Sequence, residues 1–296
     1  MLRRTDGIRA TGIKSFVLAV GVLACVSASA AADTDLGESG GFFYVTDSIT
    51  STGRYPVDAI CPGGTHVAGG GWDGTFVTGS QPIDGPDGDR TPDDGWKVGA
   101  YQGMPFASDA YAICTTQPST YVKSRRKALA VGQTRTIKAK CPAGTRVISG
   151  GGLIQGAAAD STRLHSSFPF DAGDTDFSRD DGWAVTAPGI GDSSTLRAYA
   201  VCRDTRPTYV ENPGELPANG GSSPITLCPA NRHVVGVGLQ SFGPAAAGFV
   251  STLKPIDASA GPSDDPDLVP DDYAQASASN SSGLAEPYMA VATCLR

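Results

Sequence analysis

The chain is short of most of what a helical, membrane-spanning or nucleic-acid-binding protein needs. Beyond the first thirty residues no apolar run is long enough to cross a bilayer as a helix. No stretch there sustains a helical period, which excludes a helix bundle. Aromatic residues make up only 7% of the sequence, so any core is modest. Basic charge is in deficit: 23 Lys and Arg stand against 30 Asp and Glu, a formal net charge of −7. Phosphate contacts need Lys and Arg, so nucleic acid and anionic membrane surfaces are poor partners. There is no Cys-x-x-Cys pair of the kind that holds a thiolate metal site. Gly37-Glu38-Ser39-Gly40-Gly41 spells Gly-x-Ser-x-Gly, but no helical period follows it to make the elbow that presents a nucleophilic serine.

What is abundant is turn chemistry. The chain has 38 glycines and 21 prolines, a composition that suits short strands stapled by disulfides better than helices. Residues 1–30 read as an export signal: Arg3, Arg4, Arg9 and Lys14 make a basic start, Phe16 to Val26 is apolar, and Ala28-Ser29-Ala30 is a small-residue cleavage site. Their removal takes four basic groups and Asp6, a net of +3, and moves the charge from −7 to −10. Val22-Leu23-Ala24-Cys25 offers the alternative of a lipobox, although Leu23 is large for it. Residues 31–43 read as a flexible lead-in. The expected location is extracellular, the expected state a soluble monomer.

Three copies of one phrase follow, over residues 44–118, 119–206 and 207–296. The first passes Tyr44-Val45, Cys61-Pro62, Gly69-Gly70-Gly71, Pro82-Ile83-Asp84, Asp93-Asp94-Gly95-Trp96 and Ala110-Tyr111-Ala112-Ile113-Cys114. The second passes Tyr121-Val122, Cys141-Pro142, Gly150-Gly151-Gly152, Pro169-Phe170-Asp171, Asp180-Asp181-Gly182-Trp183 and Ala198-Tyr199-Ala200-Val201-Cys202. The third is worn: Tyr209-Val210, Cys228-Pro229, Gly236-Val237-Gly238, Pro255-Ile256-Asp257, Asp271-Asp272-Tyr273 and Ala290-Val291-Ala292-Thr293-Cys294. Six cysteines allow fifteen pairings, and one bond inside each copy is the symmetric local solution: Cys61–Cys114, Cys141–Cys202 and Cys228–Cys294. The closing segments alternate with period two, so Ala110, Ala112 and Cys114 share one strand face. Trp96, Trp183 and Tyr273 are the bulky residues to fill the space beside that face, or to face a ligand. Gly64, Gly144 and Asn231, each three past its cysteine, read as left-handed turn positions.

At the Cys-Pro-x-Gly, Gly-Gly-Gly, Trp and Ala-Tyr-Ala-x-Cys elements the chain resembles a family of small exported bacterial domains, found as single copies at the ends of collagen-like and other secreted actinobacterial proteins. The resemblance implies a fold and no reaction, and assigns no catalytic or binding residue. The expected fold is all-β: three antiparallel repeats, each with an internal disulfide, packed with pseudo-threefold symmetry like the β-prisms of jacalin-like lectins or vitelline-membrane outer-layer protein. The alternative is three β domains in a row.

Candidate chemistry is sparse. His66 and His233 share a repeat position with Arg146, which reads as a polar surface site. His165 lies beside Ser166 and Ser167 without the context of a catalytic set. The loops before each Trp carry Asp84, Asp87 and Asp89 in copy one and Asp171, Asp174 and Asp176 in copy two, oxygen ligands that suit Ca²⁺. The competing reading is aspartate capping its own turns. No other cofactor is expected. The leading functional expectation is a secreted, non-catalytic module for an extracellular ligand; a disulfide-stabilised envelope or matrix protein and a secreted hydrolase are the alternatives.

Overall fold

A computed structural model describes residues 34–74, 76–85, 89–156, 162–173, 178–190, 194–244, 248–257 and 269–296, with backbone alone at 51–54 and 102–106. The leader, Cys25, Asp87, Asp174 and Asp176 lie outside the described residues. Every helix or strand assigned within them is a strand. Copy one and its lead-in supply β1 (Thr34–Ser39), β2 (Phe42–Ile60), β3 (His66–Asp73), β4 (Val77–Ile83) and β5 (Gly95–Thr115). Copy two supplies β6 (Thr120–Lys123), β7 (Lys127–Leu129), β8 (Thr134–Lys140), β9 (Arg146–Gly156), β10 (Ser166–Phe170), β11 (Gly182–Pro188) and β12 (Ser194–Arg203). Copy three supplies β13 (Thr208–Leu216), β14 (Gly221–Ser222), β15 (Ile225–Leu227), β16 (His233–Ser241), β17 (Gly248–Ile256), β18 (Tyr273–Asn280) and β19 (Glu286–Leu295).

Each copy makes two antiparallel three-stranded ladders. One joins the opening Tyr strand, the closing Cys strand and the Gly-rich strand: β2–β5–β3, β6–β12–β9 and β13–β19–β16. The other joins the strand before the first cysteine, the strand after Asp-Asp and the Pro strand: β2–β5–β4, β8–β11–β10 and β15–β18–β17. In copy one, β2 and β5 are long enough, at 19 and 21 residues, to serve both ladders. The disulfide ties one ladder to the other within each copy, Cys61–Cys114, Cys141–Cys202 and Cys228–Cys294, with Cα atoms 5.7–5.8 Å apart.

The copies are interleaved rather than set in a row. The Gly-rich strand of each pairs with the Pro strand of the copy before it: β9 with β4 at Gly152 and Ser80, β16 with β10 at Leu239 and Ser167, and β3 with β17 at Trp72 and Leu253. The last pairing joins copy one to copy three, so the ring closes. Three mixed-copy faces, two of them continuous through the long β2 and β5, surround a pseudo-threefold axis, a prism with one common core.

Two recurring details hold this ring, and each is legible in the repeat. The glycine ten past each first cysteine is the point where the neighbouring copy crosses. A Cβ on Gly71 would lie 1.9 Å from the Leu253 carbonyl oxygen, one on Gly151 2.0 Å from that of Ser80, and one on Gly238 3.1 Å from that of Ser167. The opening tyrosines stitch the same seams. Tyr121 Oη donates to Val67 O at 2.6 Å, Tyr209 Oη to Val147 O at 2.5 Å, and Tyr44 Oη to Val234 O at 2.9 Å. Gly64, Gly144 and Asn231 all have positive φ, as the Cys-Pro turns require.

The bulky fillers differ between the copies. Trp96 and Trp183 are fully buried, each donating its indole N–H to a serine, Ser80 at 2.7 Å and Ser167 at 2.9 Å. Each ring lies where a Cβ on Gly70 or Gly150 would be, 2.3 Å away. Tyr273 is not their counterpart. Pro82 faces Trp96 and Pro169 faces Trp183, but Pro255 faces Ala274, so Tyr273 matches Gly95 and Gly182. A one-residue offset puts a side chain on the other face of a strand. Copy three instead fills the space with a different set: Ala274 for Trp, Val237 for Gly and Leu253 for Ser, all buried. Losing the indole donor removes the need for the serine acceptor, and losing its bulk makes room for Val and Leu.

Candidate binding face

The pseudo-threefold repeat is an internal control. Whatever recurs in all three copies is what the fold needs; a polar or aromatic group present in one copy alone is free to serve something else.

The Asp-Asp element recurs and is architectural. Asp93, Asp180 and Asp271 are buried and pair with the residue five past each first cysteine: His66 Nδ1 at 2.5 Å, Arg146 Nε at 2.8 Å, and His233 Nδ1. Burial pushes the Asp93 carboxyl up, with His66 pulling it partly back. The reading of this position as plain surface therefore fails at His233, whose side chain is 18% exposed and held by a carboxylate. The backbone carbonyls of Asp94, Asp181 and Asp272 accept from the N–H of Cys61, Cys141 and Cys228. The Asp94 and Asp181 carboxylates receive the N–H of Gly85 and Ala172 at 2.5 Å, fastening the end of each Pro strand.

The acidic loops follow the same logic where they are described. Asp89 accepts from Thr91 N at 2.6 Å and Asp171 from Gly173 N at 2.5 Å, both turn-capping bonds, while Asp84 is exposed. Among the described residues no group of three or more His, Cys, Asp or Glu converges on a metal position. His165, Ser166 and Ser167 are buried and engaged: His165 Nδ1 lies 3.1 Å from Gly248 O, Ser166 Oγ accepts from Ser241 N, and Ser167 Oγ accepts from Trp183. Burial pushes the His165 imidazole down, against the opposing pull of the Gly248 carbonyl and Glu286.

At the end of the prism away from the Cys-Pro turns, the equivalent positions six before each Pro meet as Phe76, Arg163 and Phe249. The Arg163 guanidinium lies 3.7 Å from the Phe76 ring centre and 4.6 Å from that of Phe249. One residue from each copy thus closes that pole, a cation held between two rings.

The outer face of the sheet β13–β19–β16–β10–β11–β8 departs most from the repeat. Phe168 and Phe170 stand where the other copies have Gln81 and Ile83, or Lys254 and Ile256. They pack over Ala184 as a small apolar cluster separate from the core. Lys138 lies 4.3 Å over the Phe170 ring. Arg179 replaces the proline of the other copies, Pro92 and Pro270, and spans three strands. Its Nη1 reaches Gln240 Oε1 at 3.0 Å and Pro169 O at 3.3 Å, and its Nε donates to Glu211. Phe242 borders the same groove and is 54% exposed. The groove has a volume of about 520 Å³. Apolar rings beside a few fixed polar groups are what a polar ligand with an apolar face needs.

Of these groove residues the repeat carries only Phe170, within Pro169-Phe170-Asp171, because the repeat points to what the copies share. The signal was present as departure: Pro169-Phe170 where the others read Pro-Ile, and Arg179 where they read Pro. No protein-family model matches this sequence, and no curated protein is found to be similar to it.

Proposed function

We propose that the protein is an exported, non-catalytic binding module, with the Phe168–Phe170–Phe242 groove as its ligand face and a saccharide as its ligand class. The observation that carries this reading is Arg179, which gives up a proline common to the other copies to fix Gln240 and Glu211 beside three phenylalanines. Sugar rings present C–H faces that lie against aromatic rings, and hydroxyls that pair with amide, carboxylate and guanidinium groups. Three disulfides support an oxidising, extracellular setting. The resemblance to exported bacterial domains points the same way. The engagement of Ser166, Ser167 and His165 in packing supports a non-catalytic reading.

The test is a glycan array with the full chain and with Phe242→Ala. Phe242 is an exposed rim residue, so the substitution should leave the melting temperature unchanged. The expected result is binding to a defined glycan, weakened at least about tenfold by the loss of one aromatic platform. Trp96→Ala is unsuitable, since Trp96 is core. Silence across the array, with the protein retained in cell-wall fractions, favours the envelope or matrix reading, for which the disulfide-locked closed ring is the supporting observation.

A further inference from the structure

We infer that a cleft at the Cys-Pro pole of the prism is an oxyanion site, taking a carboxylate or phosphate group. It is separate from the phenylalanine groove. The residues just after the three closing cysteines, Thr115, Arg203 and Leu295, all line this one cleft of about 340 Å³, which Arg206 and Arg232 also face. Equivalent positions of the three copies thus converge there, yet only two of the copies bring arginine to it.

The repeat shows that these arginines are not needed for folding. Arg232 stands where the other copies have Thr65 and Thr145. In all three turns the backbone N–H of this residue donates to the Cys-Pro carbonyl at 3.1 Å. Thr65 and Thr145 add a second bond to that carbonyl from their hydroxyls, at 2.7 and 2.8 Å. Arg232 forgoes that bond and carries a cation to the cleft instead. Arg206 stands where the linker between copies one and two has Pro118. Neither the Arg206 nor the Arg232 guanidinium has a hydrogen bond or ion pair among the described residues. Arg203 differs: it is 5% exposed and fixed, its Nε donating to Ser119 Oγ at 2.9 Å and its Nη2 to Gln117 O. It is a rigid charge on one wall, with Arg206, Arg232 and Arg296 beside it in the lining.

Asp204 is the acidic neighbour, acting on Arg203 electrostatically. No carboxylate side chain lines the cleft itself. The excess negative charge of the chain does not defeat the site, because charges farther than about 8 Å are screened at physiological ionic strength. Guanidinium forks match planar carboxylate and tetrahedral phosphate oxygens in two-point contacts.

Amide chemical-shift titration of the full chain tests this, with inorganic phosphate and glucuronate as probes and chloride at matched ionic strength as control. The expected result is saturable shifts at Thr115, Thr116 and Thr205 that chloride does not produce, weakened at least about tenfold in Arg206→Gln/Arg232→Thr. Arg232→Thr restores the residue the other copies carry, so the variant should keep its melting temperature. Response to phosphate alone or to glucuronate alone names the source of the anion, and either supports the site. Shifts no larger than those of chloride, or an undiminished response in the variant, overturn it.

Discussion

Gly71 has no side chain because another copy occupies the place where one would be. Its missing Cβ would lie 1.9 Å from a backbone oxygen of Leu253, and a strand held on both sides cannot shift to relieve that. Gly71→Ala should cost about 3 kcal/mol, the upper range for overpacking. Gly63→Ala, where nothing lies within 4 Å, should be nearly neutral by thermal melting. Tyr44→Phe removes the hydroxyl that joins copy one to copy three. It should cost about 1–2 kcal/mol in denaturant melts, as for other buried hydrogen bonds. His165 gives a pH signature. Its folded pKa lies below the ordinary value of 6.5, so below that pH the unfolded chain takes up a proton that the folded chain refuses. Stability should fall as pH drops through 6.5, by at most about 1.4 kcal/mol per pH unit. His165→Asn should remove that component. Asp93, raised by burial, works in the opposite direction and over the carboxylate range, so the difference between wild type and variant isolates His165.

At the scale of elements, each disulfide joins the two ladders of its own copy, across 53, 61 and 66 residues of chain. Loops of that length correspond to about 4 kcal/mol each in the chain-entropy model. Replacing Cys228 and Cys294 together by Ala should lower stability by up to that amount, measured in urea. Strand-level features were readable because they follow from local chemistry: alternation in Ala-x-Ala-x-Cys, the positive-φ position of the Cys-Pro turn, one cysteine pair per copy. The core of copy three is hidden in the sequence because the ring of Tyr273 resembles that of Trp. Counting from Asp-Asp places Ala274 there, and only the strand register and the joint change to Val237 and Leu253 show how the space is filled. The two candidate sites are hidden for another reason. Each draws residues from separate copies, and no sequence window contains Lys138, Phe170, Arg179 and Phe242, or Arg206 and Arg232, as neighbours.

For the whole molecule, the consequence of cyclic strand sharing is that no copy owns a complete sheet. Each Gly-rich strand needs the preceding copy's Pro strand, each opening tyrosine bonds to the preceding copy, and the Phe76–Arg163–Phe249 stack takes one residue from each. Folding is therefore expected to be all-or-none across the three copies, unlike a string of independent beads. Scanning calorimetry of the full, disulfide-bonded chain tests this most directly. A closed ring predicts one transition whose calorimetric and van't Hoff enthalpies agree, moved as a whole to lower temperature by Gly71→Ala. A calorimetric enthalpy about three times the van't Hoff value, with Gly71→Ala lowering only a fraction of the transition, would contradict it.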